Sequence, residues 1–114
     1  SYSPVSLQDA TGYFDLLVKA YPMAPLGGFG KFLCEMDVGE EAIMKVKPPK
    51  PIGSVGPNRW AQLGFVAGGT GVAPFVQIIR TLLADEGDRT RMWLLSVNRH
   101  ERDILMKNEL DELA

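Results

Sequence analysis

The stretch Leu63-Gly64-Phe65-Val66-Ala67-Gly68-Gly69-Thr70-Gly71-Val72-Ala73-Pro74, continued by Phe75-Val76-Gln77-Ile78-Ile79-Arg80, decides the fold of this chain. An apolar run of strand length enters a cluster of glycines, and the glycines open directly onto apolar residues at helical spacing. Strand, glycine turn and helix in that order bring backbone N–H groups and a positive helix end to one point, where a phosphate can sit. Glycine serves there because the turn needs unusual dihedrals and because a side chain would block a close ligand. Pro74 fits the first helical turn, where its missing N–H breaks no bond.

Gly69-x-Gly71 on its own is a weak signal. The third glycine of the dinucleotide fingerprint is absent, with Pro74 in its place. The lysine of a phosphate-binding P-loop is absent too, which argues against an ATPase or GTPase. Read locally, the same turn also serves a strand-to-helix connection that uses glycine only for tight packing. The local residues leave both readings open.

Working outward, Val72 to Asp85 reads as an amphipathic helix ended by Glu86-Gly87-Asp88. Met92-Trp93-Leu94-Leu95-Ser96-Val97 is a mostly apolar run, expected to be a strand covered on both faces. Glu101 to Leu113 reads as a second helix, with Ile104, Leu105, Met106, Leu110 and Leu113 apolar. This half is therefore β-α-β-α, the start of a parallel doubly wound sheet. Asn98, Arg99 and Arg102 fall at the carboxyl end of its second strand, where ligands approach such sheets. His100, in the same polar segment, reads as a surface residue, and Trp60 and Trp93 as structural packing.

Upstream, the pattern changes. Ser6 to Gly12 reads as a turn between strands, and Tyr13-Phe14-Asp15-Leu16-Leu17-Val18-Lys19-Ala20-Tyr21 as a strand, with Tyr13 in a core. Pro22 to Gly28 is a loop. Phe29, Phe32, Leu33 and Met36 recur at helical spacing and predict the core face of a short helix, whose start after Gly27-Gly28 is a second potential anion site. Asp37 to Glu40 is a turn and Ala42 to Lys47 the next strand. Lys47-Pro48-Pro49-Lys50-Pro51, with Gly53, Gly56 and Pro57, forms a long loop ending near Trp60, the best domain boundary in the chain. Residues 1–60 and 61–114 are the expected domains.

Composition limits the function. Of 114 residues 46% are hydrophobic and 23% charged, with a net charge of −2, which is ordinary for a globular domain. Lys and Arg are scattered, so no nucleic-acid footprint is present. No apolar run is long enough to cross a bilayer. Cys34 stands alone, which gives neither a disulfide framework nor a Cys/His metal cluster, and reads as a small buried apolar residue. The chain starts without methionine and ends in a helix with no capping glycine, so both ends read as cut. No acid–base pair or nucleophile stands out.

Five blocks in order resemble the ferredoxin–NADP reductase superfamily, and within it the NADH-dependent cytochrome b5 reductases. They are Tyr2-Ser3-Pro4-Val5-Ser6, Gly12 to Lys19, Gly27-Gly28-Phe29-Gly30-Lys31-Phe32-Leu33, Ala67 to Pro74, and Leu94 to Asn98 followed by Glu101 to Leu105. The resemblance implies an α/β fold with an all-β portion: part of an antiparallel FAD-binding barrel, then the first β-α-β-α of a parallel doubly wound nucleotide-binding sheet. It implies that Tyr2 and Ser3 hold the flavin ring, and that Val18, Lys19 and Tyr21 lie on the strand beside the flavin. Gly28, Phe29 and Gly30 would form the turn holding the FAD pyrophosphate. Gly68, Gly69, Thr70 and Gly71 would form the nicotinamide-nucleotide loop, with Thr70 at the hydride-transfer locus and Ala73 and Pro74 following it. Gly30 stands where the family carries a serine. The family's Cys-Gly-Pro block, and the residues that separate NADH from NADPH, lie outside these 114 residues.

The implied function is a flavoprotein reductase that passes hydride from NADH to FAD and then electrons to a haem protein such as cytochrome b5, with NADPH left open as donor. No metal, nucleic acid or membrane segment of this chain takes part. The parent protein is expected on the cytoplasmic side, attached to endoplasmic reticulum or mitochondrial outer membrane through a segment outside this chain. The competing readings are a nucleotide-binding module without redox activity, and the same fold reducing nitrate or an iron–sulfur protein. A plain nucleotide module has no need of Tyr2-Ser3-Pro4 or of the Gly27 to Gly30 turn.

Overall fold

The computed structural model describes residues 1–7, 9–21, 28–47 and 58–114. Among them the elements run α1 (Phe29–Glu35), β1 (Gln62–Gly68), a 3₁₀ turn at Gly69–Val72, α2 (Ala73–Ala84), β2 (Arg91–Val97), a 3₁₀ turn at Glu101–Asp103 and α3 (Lys107–Glu112). The chain divides into two compact units, one of Ser1–Leu17 with Val55–Ala114, the other Val18–Ser54.

In the first unit β1 and β2 pair in parallel, from Gln62 opposite Arg91 to Gly68 opposite Val97. Parallel neighbours need a crossover, and α2 supplies it. Ala73, Val76, Ile79 and Leu82 recur on one helix face and are buried. Val5, Ala67, Val72, Ala73 and Val76 form one cluster, against which Leu17, Phe75, Leu94, Leu105, Met106 and Leu110 pack. Phe65 and Phe75, with ring centroids 5.1 Å apart, fasten the strand to the helix. Each fully buried side chain of valine size contributes roughly 1.5–3 kcal/mol.

Two expectations for this half are corrected. β2 is not covered on both faces: its burial alternates, and Trp93, Leu95 and Val97 stay exposed beside Val66 of β1. Among the described residues α2 and the segment around Leu105 pack on one face of the pair only. The second helix does not run through Glu101 to Leu113. It breaks into a 3₁₀ turn and α3, with Met106 at φ 56° between them. A left-handed methionine costs about 1–2 kcal/mol; the break sets Leu105, Met106 and Leu110 against the core. Lys107 Nζ reaches Asp111 Oδ2 at 2.8 Å and holds the short α3 from its surface.

The first residues belong to this unit as well. Pro4 and Leu16 form an antiparallel bridge, Val5 N–H donates to Asp15 O at 2.9 Å, and Gly12 turns the chain at φ 84°. The turn expected between extended arms is therefore present. The strand expected over Tyr13–Tyr21 is reduced to its pairing at Leu16, and Tyr13 is exposed rather than in a core. A strand requires a neighbour for its ladder, and among the described residues only the segment around Pro4 supplies one. Chain entry to β1 is held by Asn58, at φ 55°, which donates its N–H to Asp88 Oδ2 and its side-chain amide to Gly87 O, and accepts from Arg89 N–H. Trp60, expected to serve structural packing, is exposed with the Arg59 guanidinium 5.6 Å from its ring. Trp93 is likewise outside, on the open face of β2.

In the second unit the short helix forms where periodicity predicts it, yet no residue of α1 is buried. Phe29 and Phe32 stack at 5.7 Å on the surface, and Cys34 is exposed, which corrects the expected core face and the buried thiol. The turn at Asp37–Glu40 is present, with Gly39 at φ 99° and Asp37 N–H donating to Glu40 Oε2 at 2.8 Å. No strand forms over Ala42–Lys47; Ile43 and Val46 project into solvent without a neighbouring ladder among the described residues. The loop of Pro22–Gly27 and the Pro-rich segment 48–57 lie outside the described residues.

Candidate functional site

β1 delivers the chain to the glycine cluster at the carboxyl edge of the parallel pair. Gly68 is still extended, at φ −109° and ψ 118°, and Gly69 then enters the left-handed region at φ 50°. That reversal is where glycine is required. Gly69–Val72 coil as a 3₁₀ turn, closed by Ala73 N–H donating to Thr70 O, and the turn runs straight into α2. Pro74 sits in the first turn of α2 as its ring demands. Val72 and Ala73 are buried beneath, so the loop stands on the core, while Thr70 and Gly71 are exposed above it.

The surface over this loop is open. A Cβ placed on Gly68, Gly69 or Gly71 meets no atom within 4 Å. Tight internal packing therefore does not call for these glycines; Gly69 answers to its dihedral, and Gly68 and Gly71 leave open space over the loop. At the start of α2 no side chain caps the helix, but Ala73 N–H is given to Thr70 O and Pro74 has none, so this end offers an anion the helix dipole and not these two donors. An open glycine loop at the start of a twelve-residue helix is a place where backbone and helix dipole can receive a phosphate. At the neighbouring strand end, Asn98 donates from Nδ2 to Ser96 Oγ at 3.0 Å, and Arg99, His100 and Arg102 are exposed.

Tyr2 and Ser3 belong to the same unit as this loop, with Tyr2 exposed and Ser3 half-buried. An exposed ring and a nearby hydroxyl fit the face and edge of a flat heteroaromatic group. Val18, Lys19, Tyr21, Gly28, Phe29 and Gly30 belong to the second unit. There Val18 and Lys19 are half-buried, Tyr21 is exposed, and Lys19 Nζ stands 5.9 Å from the Tyr21 ring centroid. Gly28 precedes α1 in extended conformation without a side-chain cap, its carbonyl accepting from the Lys31 and Phe32 amides; a Cβ there also meets open space. Among the described residues no group of His, Cys, Asp and Glu is placed to hold a metal ion. None of the described helices is long and apolar enough to cross a membrane.

Sequence reasoning missed Gln77 and Arg80. Gln77 Nε2 donates to Ser6 O at 3.0 Å and Arg80 Nη1 to Val5 O at 3.0 Å. Their spacing of three along a mostly apolar helix was a visible signal, but nothing in the sequence names their acceptors.

Comparison with known proteins matches each half of the chain to a family. Residues 1–54 match the oxidoreductase FAD-binding domain family and residues 65–114 the oxidoreductase NAD-binding domain family. NADH-cytochrome b5 reductase 1 of Eremothecium gossypii is 44% identical over 115 residues, covering 100% of this chain and 38% of that protein. The protein of the same name from Neosartorya fischeri is 41% identical over 119 residues, covering 100% of this chain and 37% of its own length. Among solved structures, the cytochrome b5 reductase domain of Ulva prolifera nitrate reductase superposes with a TM-score of 0.77 at 28% identity, covering 99% of this chain and 48% of that one. The chain thus spans well under half the length of these two reductases.

Proposed function

The chain belongs to the FAD- and NAD-binding oxidoreductases related to NADH–cytochrome b5 reductase, and from that premise we propose that it supplies the nicotinamide loop and part of the flavin site of an NADH-dependent reductase whose acceptor is a haem protein of the cytochrome b5 kind. The domain division we assign is 1–60, the end of an antiparallel FAD-binding barrel, and 61–114, the start of the nucleotide-binding sheet. The observation that carries the reading is the open glycine cradle at the uncapped start of α2.

A bound flavin supplies the redox chemistry: two electrons accepted together as hydride from NADH, then released singly to a haem. The chain's own residues bind and orient. The backbone of Gly68, Gly69 and Gly71 and the start of α2 take the nucleotide phosphates, while the Thr70 hydroxyl stands at the reacting end. Ala73 and Pro74 begin the helix without adding bulk over the loop. By the family resemblance Tyr2 and Ser3 would serve the flavin ring, and in the second unit Val18, Lys19 and Tyr21 would serve the strand beside it and the backbone of Gly28, Phe29 and Gly30 its pyrophosphate. Holding two ring systems in reacting order is the protein's main catalytic contribution in such a transfer.

The test is an anaerobic visible spectrum of the full-length protein before and after NADH, followed by oxidised cytochrome b5. Flavin bands that bleach on NADH and recover as the haem is reduced support the reading; a protein that stays colourless with added FAD refutes it. One observation favours a second acceptor: the solved neighbour is a domain of a nitrate reductase. Recovery of the bands with a nitrate reductase haem domain but not with cytochrome b5 would select it.

A further inference from the structure

The segment assigned to the flavin and the helix assigned to the nucleotide are joined by two kinds of contact, and a third fixes the segment itself. The Val5 side chain lies in the same buried cluster as Val72 and Ala73, the residues on which the glycine loop stands. The carbonyls of Val5 and Ser6, consecutive along the chain, accept from Arg80 and Gln77, which stand three residues apart on α2. Ser6, only 7% exposed, turns its hydroxyl oxygen to the Asp15 amide at 3.2 Å, so the arm that returns through Leu16 is fixed by the same residue. Tyr2 and Ser3 lie three and two residues from Val5, within about 7–11 Å along an extended chain. Between them Pro4 has a locked φ and is bridged to Leu16.

We propose that Gln77 and Arg80 are positioning residues, which fasten the Tyr2–Ser6 segment to α2 so that the flavin-facing residues and the nicotinamide loop move as one body. The proposal deepens the function proposed above and rests on it. Two donors on one rigid helix face seize two successive carbonyls, which fixes both the place and the rotation of the segment; one bond would fix only its place. The guanidinium makes the stronger contact because its donor is charged. Without the pair, Val5 would still be held by apolar packing, but such packing has no direction and leaves the segment free to turn. Neither residue touches a reacting atom.

The experiment uses the full-length flavoprotein with Gln77→Met/Arg80→Met, which keeps helix propensity and bulk, and with Arg80→Lys, which returns one charged donor. Amide hydrogen exchange without NADH and stopped-flow flavin reduction with NADH are read together. In the double variant the Val5 and Asp15 amides exchange about tenfold faster while those of α2 are unchanged, because only the fastening opens. Flavin reduction at saturating NADH slows about tenfold with KM within about twofold, as a loss of orientation requires. Arg80→Lys recovers most of both. Unchanged reduction despite faster exchange overturns the proposal, as does faster exchange throughout α2, which would mark general loosening. If the unsubstituted protein does not reduce its flavin, the functional reading falls, and unchanged Val5 and Asp15 exchange then overturns the fastening by itself.

Discussion

The β1–α2–β2 region and the α1 region use apolar residues at helical spacing to opposite ends. Ala73, Val76, Ile79 and Leu82 disappear beneath α2, whereas Phe29 and Phe32, at the same kind of spacing, lie in the open. The difference is the partner. α2 is a crossover, so the strands that need its apolar face are its immediate neighbours in sequence. α1 is seven residues long and, among the described residues, followed by a turn and a segment without a strand, and its rings stay about half exposed. Helical periodicity decides which way side chains point; burial depends on what the rest of the fold brings to them.

The comparison breaks most readily at its centre. Val76 is 0% exposed, so Val76→Ala should lower stability by about 2 kcal/mol, the transfer of two buried methyl-sized groups plus part of a cavity. Val76→Asp should abolish cooperative unfolding, since its charge would have no partner in the cluster. The matching change in the other region, Phe32→Ala, should stay within about 0.5 kcal/mol. Thermal or urea unfolding of the variants checks both, and a large loss at Phe32 would mean that its ring is covered in solution.

A smaller effect separates the loop's backbone from its surface. Gly69 is at φ 50°, so Gly69→Val should lose about 1–3 kcal/mol of stability through strain alone. Gly71 needs no such dihedral and faces open space, so Gly71→Ala should leave the melting temperature unchanged while weakening NADH binding about tenfold. A titration beside each melting curve makes the distinction. Equal loss of stability in both variants would contradict the geometry.

The smallest effect concerns the clasp that leads into β1. The Thr90 hydroxyl and amide, together with the Asn58 amide, hold the Asp88 carboxyl below its usual range. The folded value is depressed, so this contribution is present above the unfolded value of about 4 and is lost as pH falls through the folded one. The melting-temperature gap between the protein and Asp88→Ala should therefore be open at neutral pH and close in acid below that value. A gap that persists in strong acid would point to packing instead of charge.

Where sequence sufficed, the reason is locality. The apolar run, the glycines and the helical spacing of 63–85 lie side by side, and each constrains the next. Where it failed, the deciding partner was distant or the pattern was ambiguous. Met106 breaks a helix whose apolar residues read as continuous, because packing on a core seeded by Val5 and Val72 outweighs its local preference. Alternating burial of β2 was hidden by a sequence apolar on both faces. Asn58, Gln77 and Arg80 form bonds to partners 29 to 75 positions away, beyond any window of periodicity.

The measurement that most directly tests the central claim is a 15N spectrum of this chain titrated with NAD⁺. The account predicts that the largest shifts fall on the amides of Gly68, Gly69, Thr70, Gly71 and the first turn of α2, with α1 unaffected by the same additions. Saturable shifts that spare the glycine loop, or a spectrum that does not respond there at all, would contradict it.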